Sequence, residues 1–195
     1  TPSTHDPVPG VPPVRHGVWS EAVVIAASMN LAFGRAGLLL MLAASVLGAL
    51  SVVFGIGRRD QRMLTQAPRY AWLALAGSVL SVIMMQRALI TRDFSLAYIQ
   101  QVGSADTPLL YNIAAMWSAL EGSILLWVVI LCGYTAAVGW RFRRRTEDPL
   151  VGWAMAVMFI VLAFFALLSF GPADPFAAGA PVPAGFDGPG PNPLL

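Results

Sequence analysis

The stretch AGLLLMLAASVLGALSVVFGIG, Ala36–Gly57, decides the fold class. It carries no charge and is followed at once by Arg58 and Arg59. A helix needs ~20 apolar residues to cross the ~30 Å hydrocarbon core of a bilayer, and this run is long enough. It is continuously apolar, without the inward–outward alternation of a barrel strand, so the span it predicts is helical.

Three more runs of the same kind follow. Tyr70–Gln86 is short, but extends to Ile90 if Arg87 snorkels toward the interface. Ile113–Trp140 is interrupted only by Glu121, and Pro149–Ala173 is uncharged. Composition agrees: 57% of the 195 residues are hydrophobic and 11% charged, against roughly 25% charged in soluble domains. The expectation is an all-α, polytopic membrane protein with four transmembrane helices, near 36–57, 70–90, 113–140 and 150–170, within a transmembrane region 34–170. The apolar stretch Ala22–Gly34 is too short to span alone and reads as an interfacial helix or a signal-like stretch. With the Pro-containing tail it forms a segment 1–33. Residues 171–195 form an external Pro/Gly-rich segment, because Pro181, Pro183, Pro189, Pro191 and Pro193 block a helix.

Arginine sets the orientation. Arg58, Arg59, Arg62 and Arg69 lie between spans one and two, and Arg141, Arg143, Arg144 and Arg145 between spans three and four. The positive-inside rule puts both short loops in the cytoplasm, hence both termini and the Ile90–Asn112 loop outside. The partner this implies is the lipid bilayer. The arginines flank apolar runs and lack the aromatic–basic pattern of a nucleic-acid surface, so nucleic acid is excluded as a partner.

Little in the chain carries chemistry. There is no Gly-x-Ser-x-Gly, no phosphate loop and no Cys-x-x-Cys. Cys132 is the single cysteine and reads as a small packing residue. The two histidines, His5 and His16, lie in the tail, and the eight methionines fall mostly within spans, where packing is their usual role. No catalytic residue and no metal ligand is identified.

The carboxylate of Glu121 stands out. It lies 20 residues before Arg141, or ~30 Å along a helix, which places it at the outer interface rather than the bilayer centre. If the helix starts just after Pro108, Glu121 is mid-helix, with Trp117 one turn before it on the same face. Gly122 and Ser123 are small enough to let another helix approach. Glu121 reads either as a carboxylate near a helix start, favoured by the dipole, or as a polar contact to a partner helix, cofactor or external domain.

Four segments together resemble the heme-lyase subunit of bacterial cytochrome c maturation, the CcmF/NrfE family. They are RDFSLAYI (Arg92–Ile99), TPLLYNIAAMW (Thr107–Trp117), WSALEGSILLW (Trp117–Trp127), and DPF (Asp174–Phe176) followed by NPLL (Asn192–Leu195). The residues that carry the resemblance are Asp93, Phe94, Tyr98, Tyr111, Trp117, Glu121, Gly122, Ser123, Trp127, Asn192 and Pro193. The resemblance implies a bacterial plasma-membrane protein of cytochrome c-type biogenesis, with heme as cofactor. Its implied partners are other maturation subunits, a heme chaperone and apocytochrome c. It also implies that heme binding and heme transport occur at the outer face.

The chain departs from that pattern. Leu120 stands where many members have His, the family's Trp-rich motif is missing, and the ligand histidines have no counterpart. Axial ligands are therefore expected outside this segment, and the chain reads as an N-terminal segment or one piece of a split protein. It does not begin with Met, and Met29 is a candidate natural start. Two other readings stay open. One is a non-catalytic membrane scaffold or assembly factor. The other is a fragment of an ion-coupled transporter with Glu121 as the ion group.

Overall fold

The computed structural model describes residues 19–104, 108–145, 148–183, 186 and 188, with side chains from Met29 onward. The helices, in chain order, are α1 (Trp19–Arg58), α2 (Gln61–Leu64), α3 (Ala67–Ile90), α4 (Ala97–Val102), α5 (Leu109–Ala114), α6 (Leu120–Arg141) and α7 (Pro149–Leu168), with a 3-10 turn at Ala115–Trp117 between α5 and α6. Four segments are long and apolar enough to cross a membrane: Met29–Arg58, Gln61–Ile90, Leu120–Arg141 and Pro149–Leu168.

The first span departs from the sequence expectation. Ala22–Gly34 is not a separate element; it is continuous with the span in one 40-residue helix. No proline interrupts it, and Arg35 is accommodated because its guanidinium finds a partner beyond α7. At 1.5 Å per residue the helix is ~60 Å long, so its first turns extend past any ~30 Å apolar layer.

The third span is also corrected. The expected helix over 113–140 is broken: α5 begins directly after Pro108, gives way to the 3-10 turn, and stops at Ser118. Ala119 is extended (φ −130°, ψ 173°), and α6 starts at Leu120. Trp117 and Glu121 therefore belong to different elements, and Glu121 sits in the first turn of α6 rather than mid-helix.

The four long helices close a ring. α1 packs against α3 and α7, and α6 packs against the same two. The α1–α3 contact is backbone to backbone: a Cβ on Gly37 would meet the Gly77 carbonyl at 2.6 Å, so only glycine permits the approach. The Ser81 hydroxyl, on α3, donates across it to the Gly34 carbonyl at 2.9 Å. This is the close packing through small residues that serves helices lacking a hydrophobic drive between them. Leu38, Met41, Leu125, Val128, Phe159 and Leu162 fill the interior with no solvent exposure.

Two helix ends use the same stop. Arg59 (φ 53°) and Arg92 (φ 54°) take the left-handed conformation after α1 and α3. The next N–H, of Asp60 or Asp93, then reaches back to Gly55 O or Ala88 O at 2.9 Å. Leu64 and Pro68 line a small cavity with Phe142 and Val151, which brings both arginine-rich connections to one end of the bundle.

Candidate functional site

The opposite end is built from 91–104, 108–119 and the segment after α7. Asp93 opens it. Its Oδ1 accepts from the Ser95 hydroxyl (2.6 Å) and N–H (3.2 Å), fixing the turn into α4. Its Oδ2 accepts from Asn30 Nδ2 at 2.9 Å, and Asn30 Oδ1 accepts from Arg87 Nη1 at 2.9 Å. The fully buried Asn30 thus relays between a cation and an anion, using both ends of its amide. Arg87, expected to snorkel, is held by this relay.

The segment after α7 folds back as a strap. Phe176 is completely buried, and its ring occupies the space a side chain at Gly34 would need. Asp174 directs it there: Oδ1 accepts from the Phe176 N–H at 2.9 Å, while Oδ2 pairs with Arg35 Nη2 at 2.9 Å. Beyond Phe176 the strap pairs antiparallel with the α4 approach through a Leu96–Ala178 bridge. Ala97 N–H reaches Ala177 O (2.9 Å) and Gly179 N–H reaches Ser95 O (2.8 Å). Gln100 Nε2 donates to Phe94 O (2.8 Å) and Ala180 O (2.7 Å), clamping both sides. Phe94 meets Phe186 edge to face at 5.3 Å. The segment expected from its prolines to be extended and to lean on something else packs, over these residues, on the chain's own α1 and on the approach to α4.

The break before α6 forms the second part. The buried Tyr98 hydroxyl lies 2.9 Å from Ala115 O and 2.7 Å from Met116 O, donating into the first two carbonyls of the 3-10 turn. Gly122 closes the same space: a Cβ there would strike Met116 O and the Tyr98 hydroxyl. Its smallness thus makes room both for the chain's own preceding turn and for the Tyr98 side chain of α4. The Ser123 hydroxyl reaches back to Trp117 O at 3.0 Å. Burial pushes the Tyr98 phenol up to about 12, and the nearby Glu121 carboxylate adds to the rise. Glu121 is half-buried, where the positive end of the α6 dipole favours a carboxylate.

The structure thus brings together Tyr98, Trp117, Glu121, Gly122 and Ser123 at the break, and ties Asp93 and Phe94 to α1 and the strap. Tyr111 (63% exposed) and Trp127 (61% exposed) face outward and join neither group. Asn192 and Pro193 lie outside the described residues, as do His5 and His16. Sequence reading missed Asn30, Arg35 and Gln100. Arg35 and Asp174 were legible only as charges at the margins of apolar runs; Asn30 and Gln100 left no signal.

The donor set here does not fit axial ligation of a heme iron, which takes His or Met in most sites. No histidine falls among the described residues, Met116 is buried beneath the break, and no cluster of metal-ligating side chains is present among them.

Fold and site define a multi-pass, all-helical membrane protein with a non-helical strap locked over one end of a four-helix ring. No protein-family model matches the chain. It is 32% identical over 145 residues to the cytochrome c-type biogenesis protein CcmF of Escherichia coli (strain K12), covering 73% of this chain and 22% of that one. To CcmF of Pseudomonas fluorescens it is 32% identical over 163 residues, 83% and 24% of the two chains. A solved structure, "Cytochrome c Heme Lyase CcmF", superposes with a TM-score of 0.69 at 32% identity, over 76% of this chain and 25% of that one. The chain belongs to the CcmF/NrfE family of cytochrome c-type biogenesis proteins. It spans about a quarter of the length of the curated relatives it matches.

Proposed function

We propose that the chain is a membrane portion of a cytochrome c maturation heme lyase. In this reading it supports heme delivery and attachment to apocytochrome c at the outer face of a bacterial plasma membrane. The observation that carries the reading is convergence. The Asp-Phe-Ser, Trp-x-x-x-Glu-Gly-Ser and Asp-Pro-Phe segments are far apart in sequence, yet meet at one end of the bundle. The arginine-rich connections gather at the other end, and the positive-inside rule favours the cytoplasm for them. The motif end and both termini are then outside.

In heme attachment the cofactor and the substrate thiols supply the reacting atoms, and the protein supplies position. The role proposed for this segment is to hold the outer surface rigid beside a heme site whose axial ligands lie elsewhere. Its partners would be the other maturation subunits, a heme chaperone and apocytochrome c. Asp93, Tyr98, Glu121, Gly122 and Ser123 are the residues proposed to maintain that surface.

The test is Glu121→Gln in a strain that depends on this gene for cytochrome c maturation. The expected result is a lowered holocytochrome yield with normal membrane insertion. A normal yield removes any need for the charge.

A further inference from the structure

The arginine-rich end holds a feature that the cytochrome c reading does not use. A hollow of about 420 Å³ is lined by Trp140, Arg141, Arg143, Arg144 and Arg145 at the end of α6. We infer that this hollow binds the phosphate of an anionic phospholipid headgroup.

Charge is the first argument. Four arginines line the hollow, and none of them forms an ion pair among the described residues. The next described carboxylate along the chain, Asp148, is engaged at the start of α7, where Oδ1 accepts from Leu150 N–H at 3.0 Å. The negative end of the α6 dipole opposes an anion here, but it amounts to roughly half a charge against four cations.

Pre-organisation is the second. Arg143 lies over the Trp140 ring at 4.9 Å and donates to Trp140 O at 2.8 Å. Arg141 lies over the Phe142 ring at 5.7 Å. Stacked guanidinium groups lose little side-chain entropy on binding, and the edge N–H groups that Arg143 does not spend on Trp140 O form a planar fork that matches a phosphate.

Position selects a lipid over a soluble phosphate. Arg141 is ~30 Å along α6 from Glu121, one hydrocarbon thickness, so the hollow sits at headgroup level. Trp140 is 56% exposed, as an interfacial indole is. The exposed face of α6 runs through Trp127, Ile130 and Tyr134, at steps of three and four residues, and leads on to Arg141 one heptad after Tyr134. That apolar track gives an acyl chain a place to lie beneath a headgroup held by the arginines. The inference does not depend on which leaflet the end faces, nor on the cytochrome c reading.

The experiment reconstitutes the full chain in nanodiscs of phosphatidylcholine doped with phosphatidylglycerol, and measures retained lipid by native mass spectrometry. Wild type is expected to retain the anionic lipid at least tenfold over the zwitterionic one. Arg144→Gln with Arg145→Gln should abolish that preference. Arg58→Gln with Arg59→Gln, which removes the same charge from the neighbouring connection, should leave it. Equal loss in both pairs means a diffuse positive field and overturns the site. Displacement by millimolar inorganic phosphate overturns the choice of a lipid. Should the variants insert poorly, a photoactivatable phosphatidylglycerol on wild type decides: crosslinks concentrated at 140–145 support the site, and an even spread along the helices overturns it.

Discussion

Arg35 Nη2 and Asp174 Oδ2 meet at 2.9 Å across 139 residues of sequence, fastening the strap to α1. The pair is partly open to solvent, with side-chain exposures of 44% and 16%, and exposed ion pairs contribute roughly 0.2–1 kcal/mol. Asp174 has a second task, accepting the Phe176 N–H. The two tasks separate by substitution. Asp174→Asn removes the charge pairing but keeps an acceptor, and should cost less than about 1 kcal/mol. Asp174→Ala removes both and should cost about 1 kcal/mol more. Denaturant titration in micelles checks the order; equal losses would mean the turn to Phe176 adds nothing.

Phe176 is the anchor of the strap, since it is fully buried against Gly34. Truncating a buried Phe to Ala in a packed site costs about 3–5 kcal/mol. That exceeds what a short segment held by a few bridging hydrogen bonds can absorb, so Phe176→Ala should release the strap locally while the helical ring stays folded. The expected readout is rapid proteolysis within 171–183 with unchanged helix content. Protection equal to wild type would show that the Leu96–Ala178 pairing alone holds the strap.

How much of this was legible beforehand follows from what leaves a trace in sequence. Charge-free runs bounded by arginines expose the spans, because the bilayer imposes length and polarity directly. The strap showed its prolines and its need for support, but not its seat, because Gly34 and Phe176 are related only by the ring closure that brings α1 beside the end of α7. The break at Ala119 was invisible for a sharper reason. Ala114–Leu120 contains neither Gly nor Pro, so nothing local announces the extended residue. What produces it is tertiary: the Tyr98 hydroxyl engages the carbonyls of Ala115 and Met116, which a continuous helix would keep for itself. Asn30 and Gln100 are likewise ordinary polar residues until the fold supplies both of their partners.

Two glycines of α6 give opposite expectations. A side chain at Gly122 collides with the Met116 carbonyl, which is backbone and cannot rotate away, so Gly122→Ala should cost about 3 kcal/mol or more. Gly133 has open space around its would-be Cβ, and alanine is the better helix former there by up to about 1 kcal/mol. Gly133→Ala should therefore be neutral or stabilising. Thermal unfolding of the two variants in the same detergent tests the pair, and a tolerated Gly122→Ala would show that the turn before α6 can yield.

Tyr98 supplies a pH test of the break. Its phenol is raised from 10.0 to about 12, chiefly by burial and further by the nearby Glu121 carboxylate. A raised phenol means the folded state favours the neutral form. Its contribution is complete below the ordinary value of 10.0, and is lost as pH climbs from there through about 12. Subtracting the near-ultraviolet tyrosinate titration of Tyr98→Phe from that of wild type should leave one late component near 12. Glu121→Gln removes a charge that opposes the phenolate, so that component should move down. If it instead titrates at the ordinary value in wild type, the hydroxyl is not sealed beneath the 3-10 turn. If it fails to move in Glu121→Gln, the carboxylate does not face Tyr98 and the two are not parts of one site.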